Sequence, residues 1–228
     1  MISPCFPAGW SKRSRWNMMY RTPFLLPLIY PQLVWRISTP EKKIFLTFDD
    51  GPVPGPTEFV LETLGKFNVK ATFFCIGDNV KKHPQVFKKV VDGGHRIGNH
   101  TFHHLKGWSC STKEYIEDVE WCDQQLQATG MPLVESEHQG LFRPPYGRIK
   151  KDQIKSLTRY RIIMWDVLTQ DYSASNSPEK CLYGSITATR PGSIVVFHDS
   201  VKAERNLKYV LPRYLQHLTD NGFSFGVL

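Results

Sequence analysis

The sequence predicts a parallel α/β fold, and three observations carry that expectation. About seven short apolar runs of strand character between residues 43 and 225 alternate with segments whose apolar residues recur at helical spacing. With 228 residues and 41% hydrophobic content, the chain is long enough for one well-buried domain and short for two. Finally, Asp49, Asp50, Asn79, His100, His104, Arg143, Asp171 and His198 all follow a strand-like run and none precedes one. Strands running the same way gather such residues on one face, either in a barrel of parallel strands or at the switch point of an open doubly wound sheet.

Taken in order, Lys43-Ile44-Phe45-Leu46 opens a buried strand that runs into Thr47-Phe48-Asp49-Asp50-Gly51-Pro52. Two adjacent carboxylates therefore arrive where a strand ends and a Gly-Pro turn begins. Neighbouring side chains on an extended backbone point to opposite sides, so Asp49 and Asp50 are expected to do different jobs: one could bind a metal while the other works on water. Thr57 opens a helix with Val60, Leu61, Leu64 and Phe67 on one face, ending at Asn68. Residues 71–76 form a second buried strand, closed by Gly77-Asp78-Asn79. A helix over 84–92 carries Pro84 in its permissive first turn and stops at Gly93-Gly94. The short strand 95–97 delivers Gly98-Asn99-His100-Thr101-Phe102-His103-His104.

Ser111-Thr112-Lys113-Glu114 is a capping box, and Ile116, Val119, Cys122 and Leu126 stripe the helix after it. Residues 130–140 read as a polar loop, and a strand reaching Leu141-Phe142 delivers Arg143-Pro144-Pro145-Tyr146-Gly147. A helix over 152–157 precedes a strand over 161–165 and a loop holding Asp171-Tyr172. Ser193-Ile194-Val195-Val196-Phe197 is the plainest buried strand, with His198-Asp199 at its end. The last helix uses Leu207, Val210, Leu211, Leu215 and Leu218, kinked or restarted at Pro212, and Phe223-Ser224-Phe225 closes the domain.

The formal charge of +8 is concentrated early: Lys12, Arg13 and Arg15 face no acid in the first seventeen residues, leaving +5 for the rest. No Lys/Arg cluster with interleaved aromatics marks a nucleic-acid groove. Five cysteines, odd in number and without a Cys-x-x-Cys pair, read as free thiols. The apolar stretch 24–35 resembles a signal sequence but fails as one, because Pro23, Pro27 and Pro31 interrupt it and no small-residue cleavage site follows. It is too short to span a bilayer. Residues 20–35 are expected to pack on the domain or touch a membrane surface, and residues 1–17 to be a disordered tail or an upstream extension from a misassigned start. This divides the chain into a lead-in over 1–40 and one main domain over 41–228, expected as a monomer in a cytoplasmic or membrane-peripheral location.

His100 and His104 would stand side by side if their segment made a helical turn. With one carboxylate they form an Asp/His/His set that leaves a position open for water, as catalytic zinc requires. The alternative is a histidine-rich surface loop, of which His103 is a spare member. Thr47 to Pro52, His100 to His104, Phe142-Arg143-Pro144-Pro145-Tyr146-Gly147, Asp171, and Val196-Phe197-His198-Asp199 resemble, in order, the motifs of the polysaccharide deacetylase family. The resemblance runs from about residue 41 to the C-terminus. It implies a distorted barrel of about seven strands and an N-deacetylase of chitooligosaccharides, chitin or peptidoglycan.

By that resemblance Asp50, His100 and His104 would hold a divalent metal, usually zinc, with cobalt, nickel or manganese as substitutes. Asp49 would be the general base and Arg143 the partner that orients it; His198 would be the acid and Asp171 the carboxylate that keeps its imidazole protonated. The Tyr146 backbone N–H would complete an oxyanion hole. Tyr146, Tyr172, Val196 and Trp108 would meet the substrate, an N-acetylated carbohydrate. Where many family members have Asp-Trp, this chain has Asp171-Tyr172, which alters the acyl pocket. Two other readings stay open: an amide or formamide hydrolase on a small non-sugar molecule, and a non-catalytic glycan-binding barrel.

Overall fold

Strand β1 (Lys43–Asp49) is buried from its second residue to its last, as a strand covered on both faces must be. Ile44, Leu46 and Phe48 point one way, into a core under the helices, where Phe48 stacks between Phe73 and Phe197. Phe45, Thr47 and Asp49 point the other way, Phe45 into a smaller apolar cluster with Phe74, Leu141 and Ile163. This period of two aims Asp49 at the inside of the curved sheet.

The computed structural model describes residues 20–129 and 139–228. Around β1 lie α1 (Leu25–Ile29), α2 (Pro56–Lys66), β2 (Thr72–Cys75), α3 (Gly77–Lys82), α4 (Pro84–Asp92), β3 (Arg96–Asn99) and α5 (Thr112–Ala128). Then follow β4 (Gly140–Phe142), α6 (Lys151–Ser156), β5 (Tyr160–Ile162), β6 (Val167–Leu168), α7 (Pro178–Ala188), β7 (Ile194–His198), α8 (Glu204–Asp220) and β8 (Ser224–Gly226). Seven parallel strands, ordered β5-β4-β3-β2-β1-β7-β6, curl into a half-barrel, with β8 paired to the start of β1. The fold class read from the alternation is therefore the observed one.

The lead-in packs against the open side of this half-barrel. Val34 bridges Ile163 beyond β5, Arg36 bridges Ser193 before β7, and Arg21 bridges Val167 in β6. Tyr20, Leu33 and Trp35 are buried there. Among the described residues no helix is long and apolar enough to cross a membrane. Cys75, Cys110, Cys122 and Cys181 are free thiols.

Several local expectations need correction. Gly77-Asp78-Asn79 follows the end of β2 as expected but also opens a helix, α3, whose Gly77 and Asp78 N–H groups donate to the carbonyls of Thr101 and Phe102. The fifth strand stops at Ile162: the Ile163 N–H still bonds the Phe142 carbonyl, but the Met164 N–H donates to Val34 of the lead-in. Helix α8 runs unbroken through Pro212. Strand β6 and helix α7 were not anticipated: the buried face of α7 is Cys181, Gly184, Ser185 and Ala188, too small and mixed to stand out as an apolar stripe. Gly184 must be small, because a Cβ there would lie 2.4 Å from the Tyr20 ring. Residues 1–17 and most of the loop expected over 130–140 lie outside the described residues.

Candidate active site

The C-terminal strand ends bring the polar candidates together. Asp49 and His198, the last residues of β1 and β7, are direct Cα partners across those strands. His100 follows Asn99, which pairs with Phe142, and Arg143 follows Phe142. Parallel register thus sets four chemically active side chains on one rim.

Asp50 lies just past β1 with φ at +82°, so a backbone kink rather than the pleat turns it away from Asp49. Its Oδ1 is 3.3 Å from His104 Nε2 and 3.8 Å from His100 Nε2. One donor atom from each of the three lies within 4.8 Å of the others. The histidine segment is a loop and not a helical turn: Thr101 and His104 have φ of +62° and +57°, yet the two imidazole centres stand 5.1 Å apart. His100 Nδ1 is 2.7 Å from the Arg143 carbonyl. A carbonyl only accepts, so Nδ1 carries the proton and Nε2 is left as a lone-pair donor. Burial, with His104 alongside, pulls the His100 pKa down to about 3, and burial also lowers that of His104. Both are therefore neutral at neutral pH, the state a metal ligand needs. One carboxylate and two neutral imidazoles with converging donors fit a first-row dication such as zinc.

Arg143 is completely buried. It donates to Asp49 Oδ1 and Thr47 Oγ1, both at 2.7 Å, and to the carbonyls of Met164 and Ile163 at 2.9 and 3.2 Å. The fork is thus shared among one Asp49 oxygen, the Thr47 hydroxyl and two backbone carbonyls. Across the rim, Asp171 is also fully buried. Its Oδ1 is 2.7 Å from His198 Nδ1, and its Oδ2 accepts from the His198 N–H at 2.8 Å. Burial works against the His198 cation, but the charge and hydrogen bond of Asp171, helped by Asp50 and Asp49, raise its pKa to about 9. Tyr172 packs edge-on against His198 at 4.9 Å.

Tyr146, with φ at +58°, sets its exposed ring 4.5 Å from that of His104. Trp108 is half exposed and donates to the Ile149 carbonyl; the Arg148 guanidinium lies 4.2 Å over its ring. Trp108 and Tyr146 line one pocket of about 460 Å³ beside the rim. Val196 is buried in β7 with its carbonyl taken by Thr169, and it stands opposite Thr47, two residues before His198 and on the face that carries Asp49 and His198.

Supporting residues were less legible. Asp118 on α5 is buried and accepts from the N–H groups of Phe102 and His103, both at 2.9 Å, and pairs with His103 Nδ1 at 2.5 Å. This gives the spare histidine a partner and holds the loop between His100 and His104. An acid beside Tyr115, Val119 and Cys122 on the inward face of an amphipathic helix was the available signal. Asn79 donates to the Asp50 carbonyl at 2.7 Å. Asp199 accepts from Gly51 N–H at 3.0 Å and Thr57 Oγ at 2.6 Å, and its burial pushes its pKa up to about 8. Gly51 is required by this approach, since a Cβ would lie 1.9 Å from Asp199 Oδ2.

Asp118→Ala should leave the His103 N–H unpartnered, while the Phe102 N–H keeps the residue-118 carbonyl at 3.1 Å, lowering stability by about 1–3 kcal/mol. It should also weaken metal affinity roughly 10–100-fold, as loss of an outer partner does. Thermal melts and metal titration check both; unchanged affinity would mean that the loop holds itself.

The polysaccharide deacetylase family model matches residues 36–164. A peptidoglycan-N-acetylglucosamine deacetylase of Bacillus cereus is 29% identical over 204 residues, covering 85% of this chain and 89% of that protein. The peptidoglycan-N-acetylglucosamine deacetylase PgdA of Listeria monocytogenes is 34% identical over 189 residues, covering 81% of this chain but only 37% of that longer protein. The crystal structure of the Bc1960 peptidoglycan N-acetylglucosamine deacetylase, bound to a hydroxamate-type benzamide, superposes with a TM-score of 0.80 at 28% identity. That match covers 91% of this chain and 95% of the other.

Proposed function

The chain is a hydrolase of the polysaccharide deacetylase family, and from that premise we propose that it removes acetyl groups from N-acetylhexosamine units of a glycan, glycolipid or oligosaccharide. The observation that carries this reading is the pairing across β1 and β7. A carboxylate tied to a buried arginine faces a histidine tied to a buried aspartate, with the Asp50, His100 and His104 donors beside them. A glycan-binding barrel needs neither a base nor an acid.

Asp50, His100 and His104 would hold the metal, zinc first and cobalt, nickel or manganese as alternatives. When bound, a dication there makes water a nucleophile near neutral pH and polarises the amide carbonyl. Arg143 fixes Asp49 through Oδ1, leaving the other oxygen to take the proton of the attacking water. Nitrogen leaves an amide only when protonated, and His198, cationic through Asp171, delivers that proton from Nε2. The Tyr146 N–H would receive the developing oxyanion. Tyr172, packed on His198, would form the wall of the acyl pocket, and Trp108 a stacking surface for a sugar.

Acetate release from a panel of N-acetylated oligosaccharides tests the proposal. N-formyl and N-acetyl amides of small non-sugar molecules form the second arm, because Tyr172 in place of tryptophan changes the acyl wall. Turnover confined to the second arm would replace the substrate class and leave the chemistry.

A further inference from the structure

Helix α1 is apolar on both sides. Leu26, with Pro23 and Tyr30 to either side of the helix, lines the 460 Å³ pocket, whose far wall is Trp108 and Tyr146, the Tyr146 ring standing 4.5 Å from that of His104. Phe24, Leu25, Leu28 and Ile29 turn outward, 77%, 52%, 71% and 61% exposed. Seven large hydrophobic residues are this exposed among the described residues, and six of them lie either on this short segment or at the pocket's far wall. Scattered apolar exposure needs no explanation, but a cluster continuous with a catalytic rim does.

Charge adds a second, independent feature. Residues 1–40 contain Lys12, Arg13, Arg15, Arg21 and Arg36 and no acid, which is five of the chain's eight net positive charges. Arg21 and Arg148 line the pocket itself. A basic, acid-free segment carrying outward Phe, Leu and Ile with Trp and Tyr close by is the composition of a contact with an anionic lipid interface. Five residues of helix are far too few to span a bilayer, so the contact is interfacial.

We propose that the α1 face seats on an anionic phospholipid surface, and that the pocket runs from that surface to the metal site to receive the apolar chain of a lipid-carried N-acetylated sugar. The substrate half rests on the deacetylase reading; the lipid-binding half does not. A second copy of this chain covering the same face is the competing occupant.

Co-sedimentation of the full chain with phosphatidylglycerol/phosphatidylcholine vesicles tests the surface. Binding should be weaker on phosphatidylcholine alone and should fall in about 1 M salt, where screening reaches roughly 3 Å. The triple variant Phe24→Ser, Leu28→Ser, Ile29→Ser should bind at least about tenfold more weakly. Its melting temperature and its turnover of a soluble N-acetylated oligosaccharide should be unchanged. Absent binding, binding unaltered in the variant, or a dimer that the variant dissolves while vesicle binding persists would each overturn the surface. For the chain seat, N-acetylglucosamine on a long alkyl chain in vesicles should be turned over at least about tenfold faster than its methyl glycoside, and the variant should lose that preference. Equal rates would overturn the seat and leave the deacetylase reading standing. No turnover of any N-acetylated sugar, with vesicle binding intact, would sink that reading and the chain seat, and leave the surface.

Discussion

Asp50→Ala and His104→Ala should give folded proteins that retain no stoichiometric zinc and release no measurable acetate. Both side chains are partly exposed, so their removal leaves no large cavity. His100→Ala should do the same with an added loss of stability, because it strips the Arg143 carbonyl of its buried partner. Asp49→Asn should behave differently. The amide retains an oxygen for Arg143, so the protein should fold and keep its metal while turnover falls about 10²–10⁴-fold, the usual weight of a general base. Asp49→Ala should also be unstable by about 3–5 kcal/mol, since Arg143 would be left as a buried charge without its counterion. Metal content by elemental analysis, melts and initial rates separate these outcomes. If Asp49→Asn emptied the site while Asp50→Asn kept its zinc, the two aspartates would have exchanged roles.

The rate should fall on the basic side of a bell-shaped pH profile as His198 loses its proton. Its folded-state pKa of about 9 stands above the ordinary 6.5, through Asp171. A dication held by Asp50 adds repulsion, so in the loaded enzyme the limb lies below 9. Asp171→Asn removes the counterion and should move the limb further toward acid, with the rate at pH 8 falling by about tenfold or more. His198→Ala should abolish the limb altogether; a limb that stayed in place would end the assignment of His198 as the acid.

The same group sets a stability dependence. Because its folded pKa is raised, the His198–Asp171 pair contributes its full stability, on the order of 3 kcal/mol, below pH 6.5 and loses it as pH rises through about 9. Melting of the metal-free protein across that window should show the decline, and Asp171→Asn should flatten it.

Much of this was readable in one dimension because strand order and motif order coincide. The carboxylate pair, the histidine pair, Arg143 and His198 each follow an apolar run, and parallel strands place every such position on one rim whatever their order in the sheet. The local code also bounded α4 correctly, through Pro84 and the glycine pair, and α5, through its capping box. These signals are short-range, and so they survive without knowledge of the fold.

What only the tertiary structure decided is how those residues are held. Asp50 leaves the strand through a positive φ, and the histidines meet through a loop with two left-handed residues that Asp118 ties down from α5. Arg143 divides its donors between Asp49, Thr47 and two carbonyls from beyond β5. The apolar segment after Pro23 supplies buried residues to the open side of the half-barrel and exposes others beside the site. Each of these depends on contacts between segments tens of residues apart. Composition and periodicity record which face of an element is apolar, but not which distant group will satisfy a buried donor, and that pairing exists only once the strands are aligned.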